Sequence, residues 1–551
     1  MPYGHFGDGC VHVRIDFPFG YRRDTKPFRD FVLAAADLVA AYRGSMSGEH
    51  GDGRARGELL ERMYSPGSLA LFGAVKHIFD PGNLLNPGIL VNPAPVDADL
   101  RVPAARPLRG ALGYAYPHDA GDLSVAAHRC VGVGRCRSDN TAAGGVMCPS
   151  FLATRDEKDS TRGRARVLQE LANGGLVAGY RSDELAQSLD LCLSCRGCAA
   201  DCPTGVDMAT YKSEVLHQRY RHRPRPVAHY SLGWLPWLAR FAARAPRAAN
   251  AVLRAPVLGR LARAAGGLDP RRDLPAFAGQ TFRRWFAERP AGAPGGDRPV
   301  LLWVDTFTNH FTPDVGQAAV RVLEAAGYTV GVARAPVCCG LTWISTGQLD
   351  TAKRRLRATL GALAPAVAAG TPIVGLEPSC TAVLRRDVTE LLPDDSRAAR
   401  TAAATRTLAE LLAATPGWAP PRLDGVRAVA QPHCHQHAVL GWDADAALLG
   451  TAGVDVTRVG GCCGLAGNFG AEKGHYDVSV AVAETALLPA VRAAGPDPAV
   501  LADGFSCRTQ LAELAGVRAR HLAQLLDPAA APPLRDGTGE PRDRNGGAGR
   551  S

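Results

Sequence analysis

Cys192-Leu-Ser-Cys195-Arg-Gly-Cys198-Ala-Ala-Asp-Cys202-Pro203 places four thiols at C-x2-C-x2-C-x3-C-P spacing. Three thiolates at two-residue intervals can wrap three corners of an iron–sulfur cube, and the fourth, held by the proline, normally points to a second cluster. The run therefore predicts redox metal and a second cysteine group. Structural zinc is the competing reading, but zinc knuckles come as two separated C-x2-C pairs and this run is unbroken. Upstream, Cys130, Cys136 and the Cys148-Pro149 pair bring the count to seven, one short of a full pair of four-iron clusters. If the fourth thiols cross over, Cys148 completes one cluster with Cys192, Cys195 and Cys198, while Cys130, Cys136 and Cys202 supply three ligands to another. That second site is then a three-iron cluster, takes a non-cysteine ligand such as His128, or is empty.

A second family of thiols follows. Cys338-Cys339-Gly340 and Cys380 recur as Cys462-Cys463-Gly464 and Cys507, and the second copy adds His433-Cys434-His435 where the first has Asp305 to His310. The second copy thus holds four thiols, Cys434, Cys462, Cys463 and Cys507, with His433 and His435 beside the first of them. Buried free thiols are the alternative reading, and thiol–disulfide chemistry is a third.

Two glycine-rich turns carry the remaining chemistry: Gly4-His5-Phe-Gly-Asp-Gly-Cys10-Val-His12 and Ser47-Gly-Glu49-His50-Gly-Asp-Gly53. His5, His12 and Glu49 form a two-imidazole, one-carboxylate set suited to a divalent metal such as Zn or Mn, with positions left for substrate oxygens. His50 could then be a general base. Surface histidines in turns are the competing reading.

The elements that must position these groups follow from periodicity. From Cys10 the chain alternates, Val11, Val13, Ile15 and Phe17 against His12, Arg14 and Asp16, which predicts a strand. A helix is expected over Lys26 to Arg43, stopped by Gly44. Between the two cysteine motifs of the central region, Arg162, Arg164 and Arg166 open a helical pattern, covering cluster sulfides or facing water. Residues 226–295 hold Trp234, Trp237, Phe241, Leu253, Leu258 and Leu261 among many arginines in proline-broken helical blocks; such a surface packs inward or lies on an anionic membrane. Strands at Val300 to Asp305, Thr329 to Ala333 and Ile373 to Leu376 recur at Ala428 to Gln431, Val454 to Val459 and Val500 to Ala502, with cysteines at their ends, implying a duplicated α/β unit. The expected segments are 1–95, 110–225, 226–295, 296–400, 401–527 and a disordered tail at 528–551.

Composition agrees. With 551 residues, 46% hydrophobic, the chain can bury several cores. No run approaches the roughly 18 apolar residues of a membrane span, and no leader pattern opens the chain. Fifteen cysteines then point to metal ligation in the reducing cytoplasm, with peripheral contact at the inner face of the cell membrane as an option for the basic stretch. The net charge of +10 suits an anionic membrane or acidic partners, and without a zinc-finger, RNA-recognition or helix-turn-helix signature no nucleic acid is expected.

The His/Glu turns, followed by Phe79-Asp-Pro-Gly-Asn-Leu-Leu-Asn-Pro-Gly88, resemble the C-terminal end of FAD-linked oxidases of the vanillyl-alcohol-oxidase type, D-2-hydroxyglutarate and D-lactate dehydrogenases among them. The resemblance implies a metal at His5, His12 and Glu49 that holds a D-2-hydroxy acid, and His50 as base. Cys10 departs from the asparagine common there, and Ile89 from a lysine. In that family the FAD-binding domain precedes this corner, so the chain is expected to need a flavin domain or a separate flavoprotein to oxidise substrate. The central motifs resemble the helical ferredoxin domain of the glycolate oxidase iron–sulfur subunit and succinate dehydrogenase. The duplicated unit resembles the cysteine-rich CCG domain of heterodisulfide reductase and of the glycolate oxidase iron–sulfur subunit, and the resemblance implies Cys434, Cys462, Cys463 and Cys507 as the better-supported ligand set, with His433 or His435 able to assist. The resemblance thus implies an α+β fragment of an FAD-linked oxidase C-terminal domain, an all-α ferredoxin domain with at least one 4Fe-4S cluster, and two α/β CCG domains. Electrons would leave toward a quinone or an electron-carrier protein; a non-catalytic iron–sulfur subunit is the other reading.

Overall fold

A computed structural model describes residues 2–13, 15, 17, 19, 24–289 and 296–529. They fall into two compact units, one comprising residues 1–107 with 172–174, the other residues 108–171 and 175–551. Arg14, Asp16 and nearly all of the tail expected to be disordered lie outside the described residues.

In the first unit, strand β1 (Pro2–Tyr3) pairs antiparallel with β2 (His12–Val13), setting Tyr3 opposite His12. The strand expected from Cys10 onward is thus much shorter, and Val11, Val13 and Ile15 are exposed where alternation suggested a core face. Helix α1 (Lys26–Ala41) ends before Arg43, whose φ of 57° is left-handed. It packs Ala36, Phe28, Val32 and Leu33 on Leu59, Met46, Met63 and Val96. Helix α2 (Pro66–Phe79) is capped by the Ser65 hydroxyl, which accepts from the Ser68 amide at 3.2 Å.

In the second unit, residues 108–171 and 175–219 contain helices and no strand among the described residues. Helix α3 (Thr161–Asn173), α4 (Gly197–Asp201) and α5 (Met208–Arg219) frame the cysteine run. The basic stretch folds as α6 (Leu235–Ala242), α7 (Pro246–Arg254) and α8 (Pro256–Ala265), each begun by a proline in its first turn, where the missing amide costs nothing. The two expected roles divide here. Trp234 turns inward, its indole donating to Gln348 at 3.0 Å, whereas Leu238, Phe241, Val252, Val257, Leu258 and Leu261 face outward. Among the described residues no helix is long and apolar enough to cross a membrane.

The duplication is visible in the sheets. In the first, β3 (Arg298–Trp303) lies between β4 (Tyr328–Val332) and β5 (Ile373–Gly375), all parallel, and β6 (Thr405–Thr407) extends the edge beside β5. In the second, β7 (Arg427–Ala430) lies between β8 (Asp455–Arg458) and β9 (Ala499–Leu501), again all parallel. The shared order puts each Cys-Cys-Gly after the second strand and each lone cysteine after the third, at carboxyl ends where α/β ligand sites form. Because β6 belongs to the first sheet, that half runs past the division expected at residue 400. A strand of three residues between two helices carries too little pattern to be read.

Packing also joins what the sequence divides. Tyr114, Leu123, Leu168 and Val215 share one core with Trp343, Leu349, Leu356 and Val383 of the first sheet's surroundings. Phe307 and Phe505 from the two halves stack with ring centroids 4.9 Å apart, and the Phe505 amide donates to Glu377 at 2.7 Å.

Gly340 and Gly464 hold matching left-handed φ of 87° and 85°. A Cβ on Gly464 would fall 2.0 Å from the Ser479 carbonyl oxygen. Gly464→Ala is therefore expected to cost about 2–4 kcal/mol through strain and overlap together. A denaturant midpoint indistinguishable from wild type would contradict this.

Candidate iron–sulfur centres

The left-handed turn Ser194-Cys195-Arg196, with φ of 55° and 61° at Ser194 and Arg196, folds the run so that its first three thiols converge. Cys192, Cys195 and Cys198 line one small enclosed cavity with Cys148, and all four are buried. Cys202 points elsewhere, its sulfur 3.3 Å from the Thr204 hydroxyl. No three of these sulfurs come within 4.8 Å of one another; the one group meeting that limit among the described residues is Cys10, His12 and Glu49. Zn–S bonds near 2.3 Å would draw tetrahedral thiolates to about 3.8 Å. Four thiols around one cavity are the number a four-iron cube takes, one for each iron.

The walls fit an anionic cluster. Arg164 is fully buried, with Nη1 3.7 Å from Cys148 Sγ and 3.0 Å from Ser150 Oγ, and its Nη2 has no hydrogen-bond partner. Burial opposes ionisation of Cys148, but this guanidinium holds its thiol below its ordinary value. Burial pushes Cys195 and Cys198 up, as expected of thiols with no such cation at hand. The Met208 amide donates to Cys198 Sγ at 3.3 Å. Of the three arginines that open α3, Arg164 alone lies in the cavity; Arg162 and Arg166 pair with Glu157 and Glu170.

Cys130 and Cys136 form a neighbouring pair, and Cys136 Sγ accepts from the Arg162 amide at 3.3 Å. His128, the candidate fourth ligand, has Nδ1 2.7 Å from the Ser124 carbonyl oxygen, which fixes its ring.

In the second α/β half, Cys434, Cys462, Cys463 and Cys507 form a hydrogen-bonded chain. Hydrogen bonding among these neighbouring thiols holds Cys434 and Cys463 well below the usual thiol range and pushes Cys462 and Cys507 well above it, so two of the four are poised as thiolates. Burial opposes charging of His433, yet the adjacent Cys434 overrides it and raises the imidazole to about 9. In the first half Cys338, Cys339 and Cys380 are joined similarly, but Asp305 caps a helix where the second half has its cysteine. Burial and then Glu377 push that carboxyl up to about 6.

The sequence did not foretell where the two groups of thiols meet. Cys195 and Cys434 share one small core with Val146, Leu193, Cys462, Phe469 and Val482. His435 Nε2 donates to the Ser194 carbonyl at 3.1 Å. Three polar contacts pin the cysteine run between the halves: Arg196 with Asp387, His437 with Asp201 at 2.7 Å, and His475 with Asp190 at 3.2 Å.

Burial disfavours the Asp201 carboxylate, but His437 and the Val146 and Met147 amides hold it well below the usual range. A depressed carboxylate stabilises above its unfolded value, about 3.9, and that stability is lost as pH falls toward the folded value. Asp201→Asn should therefore cost about 1.5–3 kcal/mol at neutral pH. The deficit should narrow below about pH 4; denaturant midpoints against pH check both, and a deficit independent of pH would contradict them.

In the first unit, His12 Nε2 lies 3.0 Å, His50 Nε2 3.3 Å and His5 Nε2 4.0 Å from Glu49 Oε1. Cys10 enters this corner unforeseen, its thiol donating to Glu49 Oε2 at 2.7 Å. That bond, chiefly, lowers Glu49 to about 2. The signal for Cys10 was its own residue type, a good zinc ligand two positions from a histidine.

Comparison with known proteins places these features. Residues 1–90 match the family model for FAD linked oxidases, C-terminal domain, residues 126–206 that for a 4Fe-4S dicluster domain, and residues 305–385 that for a cysteine-rich domain. The chain thus combines these three modules in that order, and its central one is of the 4Fe-4S type. A D-2-hydroxyglutarate dehydrogenase of Escherichia coli K12 is 27% identical over 95% of this chain and 55% of its own length. The glycolate oxidase iron-sulfur subunit of the same organism is 26% identical over 73% of this chain and 93% of its own length. A D-lactate dehydrogenase of Archaeoglobus fulgidus is 38% identical over 16% of this chain and 20% of its own length. The chain spans about half the length of the D-2-hydroxyglutarate dehydrogenases it matches.

Proposed function

We propose that this chain is the substrate-corner and iron–sulfur portion of an FAD-dependent dehydrogenase of D-2-hydroxy acids, D-2-hydroxyglutarate or D-lactate being the candidates. The strongest support is the shared core of Cys195 and Cys434, a buried contact between two thiol groups suited to moving electrons. Cys148, Cys192, Cys195 and Cys198 would hold a 4Fe-4S cluster, and Cys434, Cys462, Cys463 and Cys507 a second centre. Cys130, Cys136 and Cys202 are the candidates for an incomplete third, and Cys338, Cys339 and Cys380 lack a fourth thiol.

His5, His12 and Glu49 would hold the divalent metal, and Cys10 adds a soft donor that favours zinc over manganese. His50, beside Glu49, would take the proton of the substrate hydroxyl. When bound, the flavin supplies hydride acceptance, the clusters one-electron carriage, and the metal a Lewis-acidic anchor for the acid's carboxylate and hydroxyl. The partners are a flavin domain or separate flavoprotein and a quinone or carrier protein, with the cytoplasm as the site of action.

A second reading is supported by the 93% coverage of the glycolate oxidase iron-sulfur subunit: an electron-transfer subunit whose first hundred or so residues are catalytically idle. Anaerobic addition of D-2-hydroxyglutarate or D-lactate to the flavin-loaded holoenzyme tests the first reading. Bleaching of the iron–sulfur absorbance by a D acid, and not by its L enantiomer, is the expected result. No bleaching by either would overturn it.

A further inference from the structure

A cavity of about 670 Å³ lies wholly within the second unit. Its volume is that of a site for a sizeable organic molecule. Its outer wall is Leu235, Leu238, Phe241, Val252 and Leu253, all from α6 and α7. Farther in, Phe307, Phe311 and Phe505 close around it, and its floor holds Cys195, Cys434 and His435. A largely hydrocarbon-lined cavity thus reaches a cysteine from each of the two principal candidate ligand sets.

The floor carries an orphan. His435 is buried, its Nε2 donates to the Ser194 carbonyl, and its Nδ1 has no hydrogen-bond partner. With the proton committed to Nε2, Nδ1 presents a lone pair, an acceptor suited to a hydroxyl hydrogen.

The surface that α6, α7 and the adjoining α8 present beside the cavity differs from an ordinary protein surface. Phe241, Val257 and Leu261 are 59%, 69% and 60% exposed, and Arg244, Arg247, Arg254 and Arg260 lie exposed among them. Short amphipathic helices with outward apolar residues and interspersed cations match the surface of an anionic bilayer, the phase in which lipophilic quinones reside.

The geometry points to this cavity as the binding site of a lipophilic quinone, entering between α6 and α7 and placing its ring beside Cys434 and His435. The inference rests on the electron-transfer reading above and specifies its acceptor. A quinone seated there would take two electrons in two successive one-electron steps, each relayed through the iron–sulfur centre and replaced there from the reductant, hydroxy acid or dithionite, together with two protons from solvent. Its two carbonyls become hydroxyls, and His435 Nδ1 accepts a hydrogen bond from one of them.

The test uses the full chain with clusters loaded, titrated with the quinone-site probe 2-heptyl-4-hydroxyquinoline N-oxide and followed by quenching of the probe's fluorescence. Saturable binding is expected. Ala249→Trp, which fills the cavity wall, and Val252→Glu, which puts charge in it, should each weaken binding at least tenfold while iron and sulfide contents hold. Should one variant lose iron, the other decides. Dithionite-reduced protein should also be reoxidised by decylubiquinone, more slowly in the variants. Absence of saturable binding, or equal binding in an iron-replete variant, overturns the inference. Neither measurement uses a hydroxy acid, so failure here leaves the substrate assignment standing, and failure there leaves this site standing.

Discussion

A Cys195→Ser chain purified without oxygen will carry about four fewer irons and sulfides than wild type. Substrate-dependent electron flow to an external acceptor will fall by roughly 100-fold or more. Cys195 does two things at once: it lines the cavity with Cys148, Cys192 and Cys198, and it packs in the core that holds Cys434. Serine keeps the shape but offers a hard hydroxyl in place of a soft thiolate, a poor ligand for iron–sulfur chemistry. Iron and sulfide assays read the first effect, and the paramagnetic resonance of the reduced protein reads the second, through loss of one signal. Unchanged metal content would show that the four thiols do not act together.

His50→Gln should lower hydroxy-acid-dependent reduction by ~10²–10⁴-fold, the usual cost of removing a general base. Its iron and sulfide contents should match wild type. His50 Nε2 stands 3.3 Å from Glu49 Oε1, and its ring meets His12 edge to face at 4.9 Å, so it borders the candidate metal ligands without being needed among them. A base acts in the transition state, so kcat should carry the loss and KM should change little. Were the first unit idle, as in a pure electron-transfer subunit, the substitution would leave turnover unaltered. Measuring kcat and KM on the holoenzyme separates the two.

Much of the central region could be read directly, because ligand spacing along a tight turn is a local property. The grouping of Cys148 with Cys192, Cys195 and Cys198 needed only the rule that the fourth thiol crosses over. The duplicated sheets were readable from hydrophobic runs such as Val300-Leu-Leu-Trp303, buried on both faces as parallel strands are. Three things were not readable. β6 is too short to carry a period. The contact of Cys195 with Cys434 joins positions 239 residues apart in the sequence, and nothing local encodes it. The outward turn of Phe241 and Leu261 is a choice between packing inward and facing out, which amphipathicity alone does not make. Cys10 was legible as a residue type, yet its partner Glu49 lies across a turn, and only the fold supplies their 2.7 Å contact.

The most direct test of the central claim is the content of acid-labile sulfide, iron and zinc in the chain isolated under argon. Iron and sulfide in near-equal amounts, at least about four of each per chain, with zinc confined to about one ion for the Cys10–His12–Glu49 corner, is the result predicted. Zinc bound by the thiols of the second unit, with no sulfide released on acidification, would contradict it.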